Sequence, residues 1–191
     1  MTAVEQQVRC PWCGTDPLYV SYHDHEWGRP ERDPRKLFEL LILESFQAGL
    51  AWITILRKRE GFRAAFQGFD PGVLATWGEP EVQRLLADPQ IVRHRGKIEG
   101  TIRGAQAFLW IEAAQGFSRF LWSFVGDKPL QPRPEEMSDV PGHSPESLAL
   151  SKALKREGFN FVGPTITYAF MQAAGLVNDH LISCPEHAGL T

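Results

Sequence analysis

Apolar residues along this chain recur at intervals of three and four, the spacing that gathers them on one side of a helix. Asp33-Pro34 supplies an N-cap followed by proline at the first helical position. The pattern through Leu37, Leu40 and Leu41 then predicts a helix to about Ala48, stopped by Gly49. A second helix is expected from near Trp52, with Arg57-Lys58-Arg59 on a solvated side. Asp70-Pro71 caps a short one ending before Gly78, and Glu79 to Ala87 forms another. Ile91 to Gln115 predicts a short helix, a turn at Gly96 and a long helix carrying Ile98, Ile102, Ala105, Phe108, Leu109 and Ile111, while Ser118 is placed to cap Phe120 to Val125. Ser144-Pro145 opens a helix with Leu148, Leu150 and Leu154 inward and Lys152, Lys155 and Arg156 outward, ended by Gly158. Thr165 to Ala174 is the last, stopped by Gly175. No alternating stretch of five residues carries turn signals at both ends, and no internal repeat is present. The class is all-α.

Two segments break the periodicity. Cys10 to Pro30 is dense in Trp, Tyr, His and Cys and reads as a packed loop with short helical pieces, after a frayed tail over residues 1–9. Residues 126–145 hold Pro129, Pro132, Pro134, Pro141 and Pro145, which stiffen a surface loop or a boundary between helical lobes.

One residue sits against the pattern. Glu44 follows the apolar run Leu40-Leu41-Ile42-Leu43 and shares a face with Leu37, Leu40, Leu41, Gln47 and Ala48, so its carboxylate should point inward. A buried charge without donors costs several kcal/mol, order of magnitude. A backbone N–H or an arginine could satisfy it; the alternative is that a bound ligand does. Trp52 and the Ala48-Gly49-Leu50 corner close by favour the second.

Composition narrows the class without naming the chemistry. Hydrophobic residues make up 43% and charged residues 23% of 191, enough for a core in one domain over 1–191 or in one large and one small lobe. The net charge of −3 argues against a broadly basic nucleic-acid sleeve but leaves room for a local patch. No apolar run approaches the ~18 residues of a membrane span. Met1 to Arg9 is polar and lacks the apolar core of a signal peptide. Three cysteines without an export signal predict reduced thiols or metal ligands and a cytoplasmic address.

Three groups of residues could carry chemistry. Cys10, Cys13, His23 and His25 at one end, with His180, Cys184 and His187 at the other, form two half-sites suited to tetrahedral zinc; the spacing of His180 and Cys184 places both on one helical face. Four protein ligands would leave no place for water, so the metal would be structural. The turn Phe161-Val162-Gly163-Pro164-Thr165 joins two helices and can present backbone N–H groups to a phosphate, with Lys152, Lys155, Arg156 and the Arg93-His94-Arg95-Gly96-Lys97 run supplying positive charge. Trp12, Tyr19, Tyr22 and Trp27, with Trp52, supply rings; Tyr22 and Trp52 flanking a buried carboxylate would make a slot for a flat, electron-poor ring.

The blocks Asp16 to Gly28, Leu43 to Thr54, Ile91 to Ile98, Phe120 to Val125, Phe161 to Thr165 and Gly175 to His180 resemble, in this order, the constitutive 3-methyladenine DNA glycosylase I family, over about Arg9 to Cys184. The resemblance implies a zinc-containing member of the helix-hairpin-helix superfamily acting in base-excision repair on double-stranded DNA with alkylated bases, releasing free 3-methyladenine. The sequence itself does not set the oligomeric state, and a monomer is the default. Its zinc ligands fall on Cys10, His23, His180 and Cys184, stapling 1–30 to 176–191. Its base pocket falls on Glu44, Tyr22 and Trp52, with Trp12, Tyr19 and Trp27 around it. Two positions depart from the family pattern: Cys13 is an extra thiol that would compete with His23, and Phe46 stands where some members carry glutamine and is expected only to pack.

On this reading the nucleotide is flipped out, its ring stacks on Trp52 and Tyr22, and Glu44 accepts from the exocyclic amine and complements the positive charge. Leu50 at the Gly49 corner, with Gln47, is the candidate wedge; Gly163, Thr165 and Lys97 are the candidate phosphate contacts. Lyases of the superfamily use a lysine beyond the hairpin, and none occurs between Phe159 and Cys184, which predicts base release without strand cleavage. Asp179 is expected to orient the metal site or cap a helix. The rival readings are a non-catalytic, zinc-stabilised DNA-damage-binding module and a catalytic zinc hydrolase.

Overall fold

The computed structural model describes residues 8–188; most of the tail expected over 1–9 lies outside them. Among the described residues the chain forms helices α1 (Pro17–His25), α2 (Pro34–Gln47), α3 (Trp52–Ala65), α4 (Pro71–Leu74), α5 (Glu79–Leu86), α6 (Arg95–Gln115), α7 (Phe117–Trp122), α8 (Pro145–Glu157), α9 (Pro164–Ala173) and α10 (Pro185–Ala188). The sole strand-like contact there is an isolated bridge between Leu130 and Val177. The class is all-α, as the periodicity predicted.

The starts of the helices follow from local chemistry. Asp16, Asp33 and Asp70 each precede a proline, and each side chain accepts two backbone N–H groups of the first turn of α1, α2 and α4. Ser144 and Ser147 form a reciprocal pair at the head of α8, and Gly158 ends it in the left-handed region. Helix α2 runs through the centre and packs on α3, α6, α7 and α9. Its Leu37, Phe38, Leu41 and Phe46 are fully buried. Phe46 packs against Phe62 and Phe66, 4.8 and 5.8 Å between centroids, as its sequence context suggested.

Three boundaries differ from the sequence pattern. No turn occurs at Gly96: α6 starts at Arg95 and runs unbroken, with His94 Nδ1 accepting the Lys97 N–H at 3.2 Å. A Cβ at Gly96 would lie 3.3 Å from the His94 ring, a tight contact, and 3.5 Å from the Phe161 ring, an ordinary one. Helix α7 starts at Phe117, since Glu112 Oε2 accepts its N–H at 2.6 Å and takes the capping role expected of Ser118. His180 to Cys184 is a non-helical stretch of turn, so those two ligands are not presented by a helical face. On α3, Arg57 is exposed as expected, but Arg59 folds down onto Glu26, 2.5 and 2.9 Å.

The two ends of the chain are brought together by backbone. Gly28 N–H donates to Gln172 O at 3.1 Å and Glu31 N–H to Ala174 O at 3.0 Å. Gly175, at φ +69°, lies so close to this crossing that a Cβ would meet the Arg29 carbonyl carbon at 2.4 Å. The proline-rich loop is docked here too: Leu130 N–H donates to Leu176 O, Asn178 N–H to Leu130 O and Ile182 N–H to Pro134 O, each at 2.9 Å.

Candidate functional site

Where the terminal segments meet α2 and α9, a cavity of about 320 Å³ opens. Trp12 reaches it from a single 3-10 turn (Pro11–Cys13), Tyr19 and Tyr22 from α1, Trp27 from the loop after α1, and Trp52 from the first position of α3. Glu44 and Gln47 come from the last turns of α2, Thr165, Tyr168 and Gln172 from α9, and Asp179 from the segment beyond it. All six ring and carboxyl positions expected at the pocket are therefore brought together. Met137, Val140, Pro141 and Gly142 of the proline-rich loop close another side; nothing in their sequence marks them, because the contact depends on the loop docking against residues 176–182.

Five buried polar atoms of this cavity have no partner among the described residues. Buried side-chain atoms without a partner among the described residues are Trp12 Nε1, Trp52 Nε1, Glu44 Oε2, Gln47 Oε1, Asp179 Oδ1 and His180 Nε2; all but the last line this cavity. Native proteins leave few such groups, and five of the six converge on this one cavity. Glu44 is 3% exposed and receives no hydrogen bond from a described residue. Burial alone pushes its carboxyl up to about 8. Burial, and then Glu44 itself, hold the Tyr22 phenol well above its usual value. The lining contains the two carboxyls and no lysine, arginine or histidine. Asp179 faces this cavity instead of the metal site or a helix end: Tyr168 OH and Gln172 Nε2 donate to its Oδ2 at 2.7 and 2.8 Å, leaving Oδ1 free.

Two other expectations change. Tyr22 and Trp52 do not form parallel plates; their centroids are 5.5 Å apart at 45°. A ring sandwiched between them would need about 7 Å, two contact distances of about 3.5 Å, so they make a corner that offers a face and an edge. Lys97 is not a surface phosphate contact: it is 5% exposed, and its Nζ donates to the carbonyls of Phe46 at 2.8 Å and Ala48 at 2.7 Å. Of the other candidate contacts, Gly49 and Leu50 are exposed after α2, and Thr165, exposed in the first turn of α9 beside half-buried Gly163, lines the cavity.

Behind Trp12 and Trp27 lies a second polar cluster. The donor atoms of Cys10, His23 and Cys184, all buried, lie within 4.8 Å of one another and could hold a metal. His180 adjoins them, its ring 5.0 Å from that of His23 and its Nε2 unpartnered. The outer nitrogens are occupied: His23 Nδ1 pairs with Asp24 at 2.8 Å and His180 Nδ1 with Asn178 Oδ1 at 3.2 Å, which turns each Nε2 inward. Leu181 N–H donates to Cys10 Sγ at 3.4 Å. The hydrogen bond between the two sulfurs lowers the Cys184 thiol and raises that of Cys10, so one proton is held between them for a metal to displace, while burial lowers His180 to about 4, the neutral imidazole a metal takes. The donor set therefore fits zinc. Cys13 turns away, its Sγ donating to Cys10 O at 3.1 Å.

Among the described residues the fold is thus all-helical, around a ring-lined cavity with two buried carboxyls and no cationic side chain in its wall. The methyladenine glycosylase family model matches residues 12–187, and the chain belongs to that family. It is 52% identical over 182 residues to DNA-3-methyladenine glycosylase 1 of Escherichia coli (strain K12), covering 95% of this chain and 97% of that protein. A crystal structure of 3-methyladenine DNA glycosylase I (TAG) superposes with a TM-score of 0.92 at 52% identity, covering 93% of this chain and 98% of the other. A tyrosine-to-phenylalanine variant of 3-methyladenine DNA glycosylase I, crystallised in complex with 3-methyladenine, superposes at 0.91 with 44% identity, covering 93% and 96%.

Proposed function

We propose that this protein is a monofunctional DNA glycosylase that excises 3-methyladenine from alkylated double-stranded DNA in base-excision repair. The observation that carries the reading is a cavity with two under-partnered carboxyls, Glu44 and Asp179, and no cationic side chain in its wall. Methylation at N3 makes adenine cationic and a good leaving group. Discrimination can then come from binding, with no need to protonate the base. The flipped purine packs into the corner of Trp52 and Tyr22, with Trp12, Tyr19 and Trp27 enclosing it. Its charge favours the ionised form of Glu44, which accepts from the exocyclic amine; the proton held by that carboxyl in the empty cavity leaves as the base enters. Neutral adenine offers no such compensation and leaves a buried acid poorly satisfied. Water attacks the sugar carbon.

Leu50 and Gln47, at the Gly49 corner, fill the gap left in the stack, and the backbone at Gly163 and Thr165 holds a phosphate. No amine lines the cavity, which supports base release without strand cleavage. Cys10, His23, His180 and Cys184 would hold one structural zinc that joins the terminal segments of a single 1–191 domain, acting as a monomer. Reduced thiols and a DNA substrate fit a cytoplasmic address. Among the described residues no helix is long and apolar enough to cross a membrane. Incubation with methylated DNA and chromatography of the released bases tests the reading: free 3-methyladenine with intact strands is expected, and release of no base would overturn it in favour of a damage-binding module.

A further inference from the structure

Lys97 has no place in the function above, yet it is a buried ammonium without an acidic partner. Its Nζ is held by the Phe46 and Ala48 carbonyls, and no carboxylate pairs with it among the described residues. Burial lowers its pKa, as expected for a cation whose only counter-charge is the carbonyl end of a helix. That end is the terminus of α2. Ala48 departs from helical geometry at ψ 114°, and the Gln47 carbonyl takes the Leu50 N–H at 2.6 Å, so the neighbouring carbonyls depend on a donor from another element.

Lys97 comes from the first turn of α6, which lies against the hairpin between α8 and α9. A Cβ at Gly100 would sit 3.3 Å from Asn160 Cβ and 3.7 Å from the Phe161 ring. Arg103 Nε donates to Asn160 Oδ1 at 2.8 Å, and Lys97 Nζ stands 5.8 Å from the Phe161 ring centre. One side chain thus connects the hairpin to the corner that carries Gln47, Gly49 and Leu50. We propose that Lys97 is a positioning residue for base extrusion: it fixes the Gln47–Leu50 corner relative to the 158–163 hairpin, so that a duplex gripped at the hairpin meets a wedge already in place.

The inference rests on the glycosylase reading and is tested beside it. If the wild-type protein releases no 3-methyladenine, that reading fails before any variant is compared. Given release, Lys97→Met, which removes both charge-assisted hydrogen bonds to the corner, is expected to bind free 3-methyladenine within about twofold of wild type while kcat on methylated duplex falls about tenfold or more. Lys97→Arg, which keeps donors and charge, should recover most of that rate. Adding Lys97→Met to Leu50→Ala should slow the latter no further, because two changes acting through one corner do not add. Lys97→Gln, which keeps a polar head in the buried site, is measured in the same assays in case the methionine variant fails to fold. Wild-type kcat in Lys97→Met, free-base affinity falling in step with kcat, or independent multiplication with Leu50→Ala would each overturn the proposal.

Discussion

On either side of Trp12 and Trp27 lie two buried polar clusters that are completed in opposite ways. On the thiol side three of the four candidate donors are supported from behind: Asp24 on His23, Asn178 on His180, the Leu181 N–H on Cys10. On the cavity side Glu44 has no supporting group, and Asp179 is held by one oxygen only. Support from behind fixes a donor for a permanent occupant. Its absence keeps an acid unsatisfied until a transient occupant arrives. Removing a group from the first cluster should therefore damage the fold, whereas removing one from the second should slow the chemistry and relieve the fold.

The largest effect expected is on the thiol side. Cys184→Ala should abolish stoichiometric metal and lower Tm by about 10 °C or more, given roughly 2–4 °C per kcal/mol at this size. Calorimetry with metal analysis checks it; a variant with full metal content and unchanged Tm would erase the contrast.

Glu44→Gln should move stability and activity in opposite directions. Losing a charge-assisted hydrogen bond to the bound cation is expected to slow excision about 10–100-fold, while abasic-site affinity stays near wild type. The same change removes a buried acid and should raise Tm. The pH dependence has a definite sign. The Glu44 carboxyl is lifted from 4.5 to about 8 in the folded protein, so the fold binds a proton that the unfolded chain has released. Its contribution is fully present below 4.5 and is lost as pH rises through about 8. The Tm of Glu44→Gln should therefore pull ahead of wild type between pH 5 and pH 8, on the order of 3 kcal/mol at pH 7. A gap that stays flat with pH would mean that the acid is satisfied.

How much of this was legible in the chain varies with the kind of contact. Glu44 announced itself because a carboxylate on an apolar helical stripe is a local contradiction, readable from seven neighbours. The helix starts at Asp16, Asp33 and Asp70 were readable for the same reason, since a cap and its proline are adjacent. Lys97 was misread because its partners, the carbonyls of Phe46 and Ala48, are about fifty positions away and carry no side-chain signature. Gly96 was misread as a turn because glycine marks chain reversal in sequence, whereas here it sits inside the first turn of α6, packed closely on the His94 ring. Met137 and Val140 had no signal at all, since only the docking of their loop brings them to the cavity.

The smallest expected effect tests whether Asp179 belongs to the cavity or to the metal beside it. Tyr168 OH is one of two donors on Asp179 Oδ2, and it is a neutral group remote in function from the thiols. Tyr168→Phe keeps the ring and its packing and removes only that bond, which loosens the direction in which the free Oδ1 points. A neutral hydrogen bond contributes on the order of 1 kcal/mol, so excision should fall about three- to tenfold with Tm changed by no more than about 4 °C. Metal content should remain one per chain. If instead the variant loses metal while excising at the wild-type rate, Asp179 serves the thiol cluster through its neighbour His180, and the cavity has a single working acid.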